Sequence, residues 1–180
     1  RRLRCEASAG FVPSPEAAEG LIDERVRAIV LVTPNNPTGA VYPAATLERF
    51  AEPCRRRGLW LVLDETYRDF LPPGVNRAHH VLTGEEWRHT VIQLYSFSKA
   101  FSVPGHRLGA MVADAGIMPH IAKILDNLQI CAPRVGQAAL VWGLDRLGEW
   151  RDGNRAEMNR RVDAFRQALS SAPGWGIDSI

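Results

Sequence analysis

Short, unbroken apolar runs alternate along this chain with stretches whose apolar residues recur every three or four positions. Ala28 to Thr33, Leu59 to Asp64 and Val91 to Tyr95 are runs of the first kind. Each predicts a buried strand, and their continuity suits parallel strands covered on both faces. Between the first two, Leu47, Phe50, Ala51 and Cys54 repeat at i, i+3, i+4 and i+7. That stripe predicts a helix opened by Pro43 and stopped by Gly58. Ser14 to Val26 reads as another helix, with Ser14 as N-cap, Pro15 at the first helical position and Glu16 and Glu19 in the early turns. Arg107 to Ala113 predicts a further strand.

Beyond residue 113 the pattern turns helical. Ile117, Ile121, Ile124, Leu125 and Leu128 form one stripe and Val135, Ala138, Ala139 and Trp142 another, both read as core faces. From Trp150 to Leu169, Met158, Val162, Phe165 and Leu169 share a face among arginines. The stretch Leu71 to Thr90, with Pro72-Pro73-Gly74 and the loop histidines His79-His80, reads as a surface excursion containing a short helical turn. The chain shows no internal repeat and no low-complexity tract.

Polar residues with specific chemistry follow three of the strands. Tyr95-Ser96-Phe97-Ser98-Lys99 closes the third run, eight residues before Arg107. Positive charge in this chain is almost all arginine; its only lysines are Lys99 and Lys123. A lysine amine can lose its proton and attack a carbonyl, which a guanidinium cannot. Serine hydroxyls and the fork of Arg107 suit a phosphate. Val32-Thr33-Pro34-Asn35-Asn36-Pro37-Thr38-Gly39 ends the first run, and Asp64-Glu65-Thr66-Tyr67 ends the second. Taken singly, these are a surface lysine, an ordinary turn and a strand terminus with a solvated carboxylate. In parallel sheets, however, ligands gather beyond the carboxyl ends of strands. The three segments in this order point to one site.

From about Ala28 to Arg134, with looser similarity to both ends, these motifs resemble the pyridoxal phosphate (PLP)-dependent aminotransferases of fold type I, the class I/II family. The resemblance implies an α/β fold, a three-layer α/β/α sandwich with a mainly parallel sheet, present in part. Residues 1–149 would be the PLP-binding large domain, incomplete at its N-terminal side. Residues 150–180 would be the interdomain helix and the start of the small domain, and Arg107 to Ala113 would run antiparallel to its neighbours. Lys99 would form the Schiff base with the cofactor aldehyde, Asp64 would pair with the pyridine nitrogen, and Tyr67 and Asn36 would hydrogen-bond the phenolic oxygen. Ser96, Ser98 and Arg107 would hold the phosphate, Ser98 less firmly than the other two, and the Asn36-Pro37 bond would be cis. The implied reaction moves an amino group from an amino acid to a 2-keto acid, with Lys99, Asp64 and Tyr67 as the catalytic set. Two other readings stay open: a carbon–sulfur lyase or decarboxylase of the same fold, and the PLP-sensing aminotransferase-like domain of a transcription regulator.

Composition narrows the classes. With 22 basic and 20 acidic residues, the net charge of +2 gives no reason to expect a nucleic-acid or anionic-membrane partner. No apolar stretch approaches a transmembrane length and no signal peptide is visible. Cys5, Cys54 and Cys131 are few and widely spaced, which indicates neither a disulfide framework nor a zinc site. The histidines lack ligand spacing, so no metal is expected, and His106 lies near the site without an assigned role. The expectation is a cytoplasmic enzyme of amino-acid metabolism, a homodimer when full-length. The chain starts without a methionine, and a Gly-rich phosphate loop, a ring-stacking aromatic residue and a carboxylate-binding arginine have no counterpart in it. It therefore reads as the central part of a longer enzyme, inactive in isolation, whose amino donor is not named by these residues.

Overall fold

The computed structural model describes residues 1–75 and 77–177. Four strands form one mixed sheet in the order β1 (Ala28–Val32), β2 (Trp60–Asp64), β3 (Val91–Ser96) and β4 (Gly109–Val112). β1, β2 and β3 run parallel and β4 antiparallel to β3. The architecture is α/β, as expected, and the antiparallel sense of the last strand follows the resemblance. β4 starts later than the expected Arg107, because Arg107 sits in the left-handed region at φ 51° after a short 3-10 turn at Pro104–His106.

Among the described residues six α-helices accompany the sheet: α1 (Pro15–Glu19), α2 (Ala44–Arg57), α3 (Phe97–Ala100), α4 (Met118–Leu128), α5 (Arg134–Arg146) and α6 (Gly148–Ser170). α2 follows its apolar stripe, with Leu47, Phe50, Ala51 and Cys54 all 0% exposed. Arg55, Arg56 and Arg57 complement the negative end of its dipole. Gly58, at φ 64°, ends it by donating to the carbonyls of Cys54 and Arg55. Pro53 lies inside this helix and costs it one ladder bond. The stripe packs on one face of the sheet, where Leu31, Leu61, Leu63 and Val91 join it in a single core. Each buried Leu or Phe side chain contributes about 1.5–3 kcal/mol there.

Three expectations change. The helix expected from Ser14 to Val26 ends at Glu19, although Ser14 does cap it, accepting from the Ala17 N–H at 3.1 Å. Gly20 breaks it, and the Asp23 carboxylate then accepts from the Arg25 N–H, a local bond that competes with helix. Within the described residues the apolar runs are not covered on both faces: Val30 is 63% exposed. Nor do these residues cover the stripes of α4 and α5. α4 has no buried residue, and in α5 only Gly136 and Gly143 are buried. α5 packs tightly at Gly136, where a Cβ would lie 2.6 Å from Leu108 Cδ1.

The segment between β2 and β3 contains the expected short turn, a 3-10 helix at Glu86–His89. It is less superficial than its composition suggests, since Leu71, His79 and Val81 are buried. α6 docks beside its start: Arg155 donates to the carbonyls of Leu71, Pro72 and Val75 at 2.7–2.8 Å. Arg151 lies 3.4 Å from Asp69 and 5.3 Å from the Phe101 ring. No helix among the described residues is long and apolar enough to cross a membrane.

Candidate active site

The segments that leave the carboxyl ends of β1, β2 and β3 are tied to one another. The Thr33 N–H donates to the Asp64 carbonyl at 3.0 Å, and the Glu65 N–H donates to the Leu94 carbonyl at 2.9 Å. The pairing thus continues one residue past the ends of β1 and β2, and the segments that follow leave the sheet side by side.

After β1, Asn35 organises the turn. Its Oδ1 accepts from the Thr38 N–H and hydroxyl, and its Nδ2 donates to the Val32 carbonyl. Gly39, at φ 76°, returns its N–H to the Asn35 carbonyl. The Asn36-Pro37 bond is cis, as the resemblance implies, and so is Thr33-Pro34. With Asn35 occupied inside the turn, Asn36 is the exposed carboxamide.

After β2, both hydrogen bonds to the half-buried Asp64 carboxylate, from the Thr66 N–H at 3.0 Å and hydroxyl at 2.7 Å, fall on Oδ1. Oδ2 is therefore the oxygen available to a cation. Tyr67 follows at the turn closed by Arg68 N–H to the Glu65 carbonyl. Its hydroxyl lies 3.4 Å from Asn36 Nδ2. The exposed Lys99, in α3 beyond β3, places Nζ 5.9 Å from the centre of the Tyr67 ring. Asn36, Tyr67 and Lys99, from three different strand ends, are in this way brought together.

Ser96 caps α3, its Oγ accepting from the Ser98 N–H at 3.3 Å. Ser96 pairs with Gly109 across the antiparallel ladder, and the Phe97 N–H donates to the Leu108 carbonyl. This brings the backbone of Arg107 alongside the serines. Arg107 is exposed and donates to the Pro104 carbonyl at 2.9 Å, while Ser98 is buried. A cleft of about 680 Å³ runs along the Asn36 and Tyr67 side, walled by Pro37, Phe70, Pro72 and Val162; Asp64, Lys99 and Arg107 lie outside its lining.

Sequence reasoning missed the polar cluster behind this turn. Glu65 is 0% exposed and meets His79 Nε2 at 2.8 Å, the Gln93 amide, and Arg68 at 3.7 Å. Burial pushes its carboxyl upward, but the hydrogen bond and charge of His79, the Gln93 amide and Arg68 outweigh this and hold it below the usual value. His79 lies in a loop, as expected, but its burial and this bond place that part of the loop in the interior. Nearby, Tyr95 donates to Asp69 at 2.6 Å, and burial first, then that bond, push its hydroxyl well above the ordinary range. An acid following a strand and a histidine in an aperiodic loop carry no local signal that they pair.

The donor set has the chemistry that PLP requires: an amine for its aldehyde, a carboxylate oxygen for its pyridine nitrogen, a phenol and a carboxamide for its phenolic oxygen, and hydroxyls with a guanidinium for its phosphate. Among the described residues no cluster of metal-ligating side chains occurs.

Residues 1–178 match the family model for aminotransferase class I and II. The chain is 32% identical over 169 residues to the arginine–pyruvate transaminase of Pseudomonas aeruginosa, covering 92% of this chain and 42% of that protein. It is 30% identical over 146 residues to an aromatic aminotransferase of Arabidopsis thaliana, covering 79% and 36%. The crystal structure of the aspartate aminotransferase from Rhizobium meliloti superposes with a TM-score of 0.86 at 26% identity, over 93% of this chain and 42% of that one. The chain thus spans about two fifths of the length of these relatives.

Proposed function

Since the chain belongs to the class I and II aminotransferases, we propose that the protein containing it is a PLP-dependent transaminase that moves an amino group from an amino acid to a 2-keto acid. The observation that carries this reading is the meeting of Asn36, Tyr67 and Lys99 from three strand ends.

When bound, PLP supplies a conjugated ring that takes up the electron pair released at the substrate alpha carbon. Lys99 Nζ would hold the cofactor through its aldehyde. As a free amine, the same nitrogen would take a proton from the substrate alpha carbon as general base and give it up again as general acid. Asp64 would hold a proton on the pyridine nitrogen, favouring the charged form by roughly 1–3 pKa units as close opposite charges do. The Tyr67 hydroxyl and Asn36 carboxamide orient the phenolic oxygen. Arg107 and Ser96 would bind the phosphate, with Ser98 as a second hydroxyl.

The test is to treat full-length protein with PLP and borohydride, map the labelled peptide, and screen amino donors against a keto-acid acceptor. Label on Lys99 with turnover that requires the acceptor is the expected result. Label on Lys123, or ammonia and a keto acid released without an acceptor, would overturn the assignment or the reaction respectively.

A further inference from the structure

Glu65 stands between two residues assigned above to the cofactor, Asp64 before it and Tyr67 two positions after. Side chains alternate along a strand, so Glu65 leaves the sheet on the face opposite Asp64, the face of Leu63 and Gln93. There its carboxylate is fully buried, bonded at one oxygen to His79 Nε2 at 2.8 Å and at the other to the Gln93 amide. Its main chain is held as well: the N–H donates to Leu94, and the carbonyl accepts from the Arg68 N–H that closes the Tyr67 turn.

The loop that carries Tyr67 is short and mostly half-buried; Thr66 bonds to Asp64 within it and Asp69 accepts from Tyr95 beyond it, but its root at Glu65 needs a restraint of its own. Glu65 supplies that restraint by joining the end of β2 to β3 through Gln93 and to the following segment through His79. A buried carboxylate is costly unless it is hydrogen-bonded, so this one constrains its surroundings strongly. We infer that Glu65 is a positioning residue for the cofactor site: its buried bonds to His79 and Gln93 lock the 64–67 turn and so present Asp64 and Tyr67 together.

The groups facing Glu65 define how to probe it. His79 comes from the segment after β2, Arg68 from the following turn, and β3 contributes the neutral Gln93. Gln93 offers a donor at its nitrogen and His79 a donor at Nε2. Glutamine at position 65 has the shape of glutamate but no charge, so both bonds lose their charge assistance and, with Gln93 held as it stands, one becomes a contact between donors.

The inference rests on the cofactor assignment, and the experiment separates the two. Full-length wild type, Glu65→Gln, His79→Leu and His79→Gln are stripped of PLP, checked for folding by circular dichroism, and titrated with PLP. Glu65→Gln and His79→Leu should bind PLP on the order of tenfold more weakly, the low end of what loss of a supporting partner costs a bound group. They should also shift the pH midpoint of the cofactor's visible absorption. His79→Gln keeps a donor toward Glu65 and should retain affinity within about twofold of wild type. If Glu65→Gln does not fold, the two His79 variants carry the comparison. Folded Glu65→Gln and His79→Leu proteins with wild-type PLP affinity and an unchanged midpoint would overturn the positioning role and leave the transaminase reading intact. A wild-type protein that binds no PLP would defeat the transaminase reading itself.

Discussion

Asn36 Nδ2 lies 3.4 Å from Tyr67 Oη, joining the turn after β1 to the turn after β2 across 31 residues of sequence. The contact exists because each turn is anchored from below. Asn35 and Gly39 close the first, and the Thr33 N–H binds the carbonyl of Asp64 at the root of the second. Both groups can address the same oxygen of a ligand, the carboxamide and the phenol each offering a proton.

Tyr67→Phe tests that shared role. It deletes one hydroxyl without changing the ring beside Lys99. A single hydrogen bond contributes about 0.5–1.5 kcal/mol net, so PLP affinity should fall by roughly two- to tenfold. Equilibrium titration of the full-length apo-protein measures this, and unaltered affinity together with an unaltered absorption maximum would remove Tyr67 from the site.

Asp64→Asn separates charge from shape. The amide can still accept from Thr66 through its oxygen, so the fold should persist. Under the proposed function, loss of the carboxylate withdraws the interaction that would keep the pyridine nitrogen protonated, equivalent to roughly 1–3 pKa units. Transamination should drop by at least tenfold with PLP saturating. Near-normal turnover under those conditions would assign the nitrogen's partner elsewhere.

How far the sequence foretells this arrangement depends on the range of the interaction. Lys99, Asp64 and Asn36 are legible because each follows an apolar run directly, and a strand with its exit turn is a local pattern. The α2 stripe is legible for the same reason, since its period is contained in one helix. Glu65 and His79 are not: their bond spans 14 residues through a segment with no period. The shortened α1 reflects a competition between helix and the Asp23 turn that a helical start signal cannot report. The exposed stripes of α4 and α5 show a further limit, because an amphipathic period states that a face is apolar without stating what covers it.

Glu65 also predicts an acid dependence. Its folded-state pKa is depressed, so its contribution to stability is fully present above the unfolded value of about 4.3 and is lost as pH falls through the folded value. Wild type should therefore destabilise on acidification below about pH 4–5 more steeply than Glu65→Gln, which has no such group to protonate. Thermal unfolding of both full-length proteins between about pH 3 and pH 7 reads the difference in slope. Parallel curves across that range would mean that the carboxyl is not preferentially ionised in the folded state.

The core beneath the site predicts a graded response at Phe50. The side chain is 0% exposed in the middle of α2 and shares its cluster with Leu47, Leu61, Leu63 and Val91. β2 and β3, whose ends carry Asp64 and Ser96, rest on that cluster. Phe50→Ala removes a ring from close packing and should cost about 3–5 kcal/mol, the sum of lost transfer energy and an incompletely collapsed cavity. Phe50→Leu keeps most of the volume and should cost less than about 1.5 kcal/mol. Because helix propensity favours both replacements over phenylalanine, the order of the two effects must come from packing rather than from the helix itself. Thermal unfolding of the full-length variants, read alongside their PLP affinity, tests this. The alanine variant should lose stability and, with it, cofactor retention, while the leucine variant should keep both close to wild type. An alanine variant as stable as wild type would show that α2 does not support the sheet at this point.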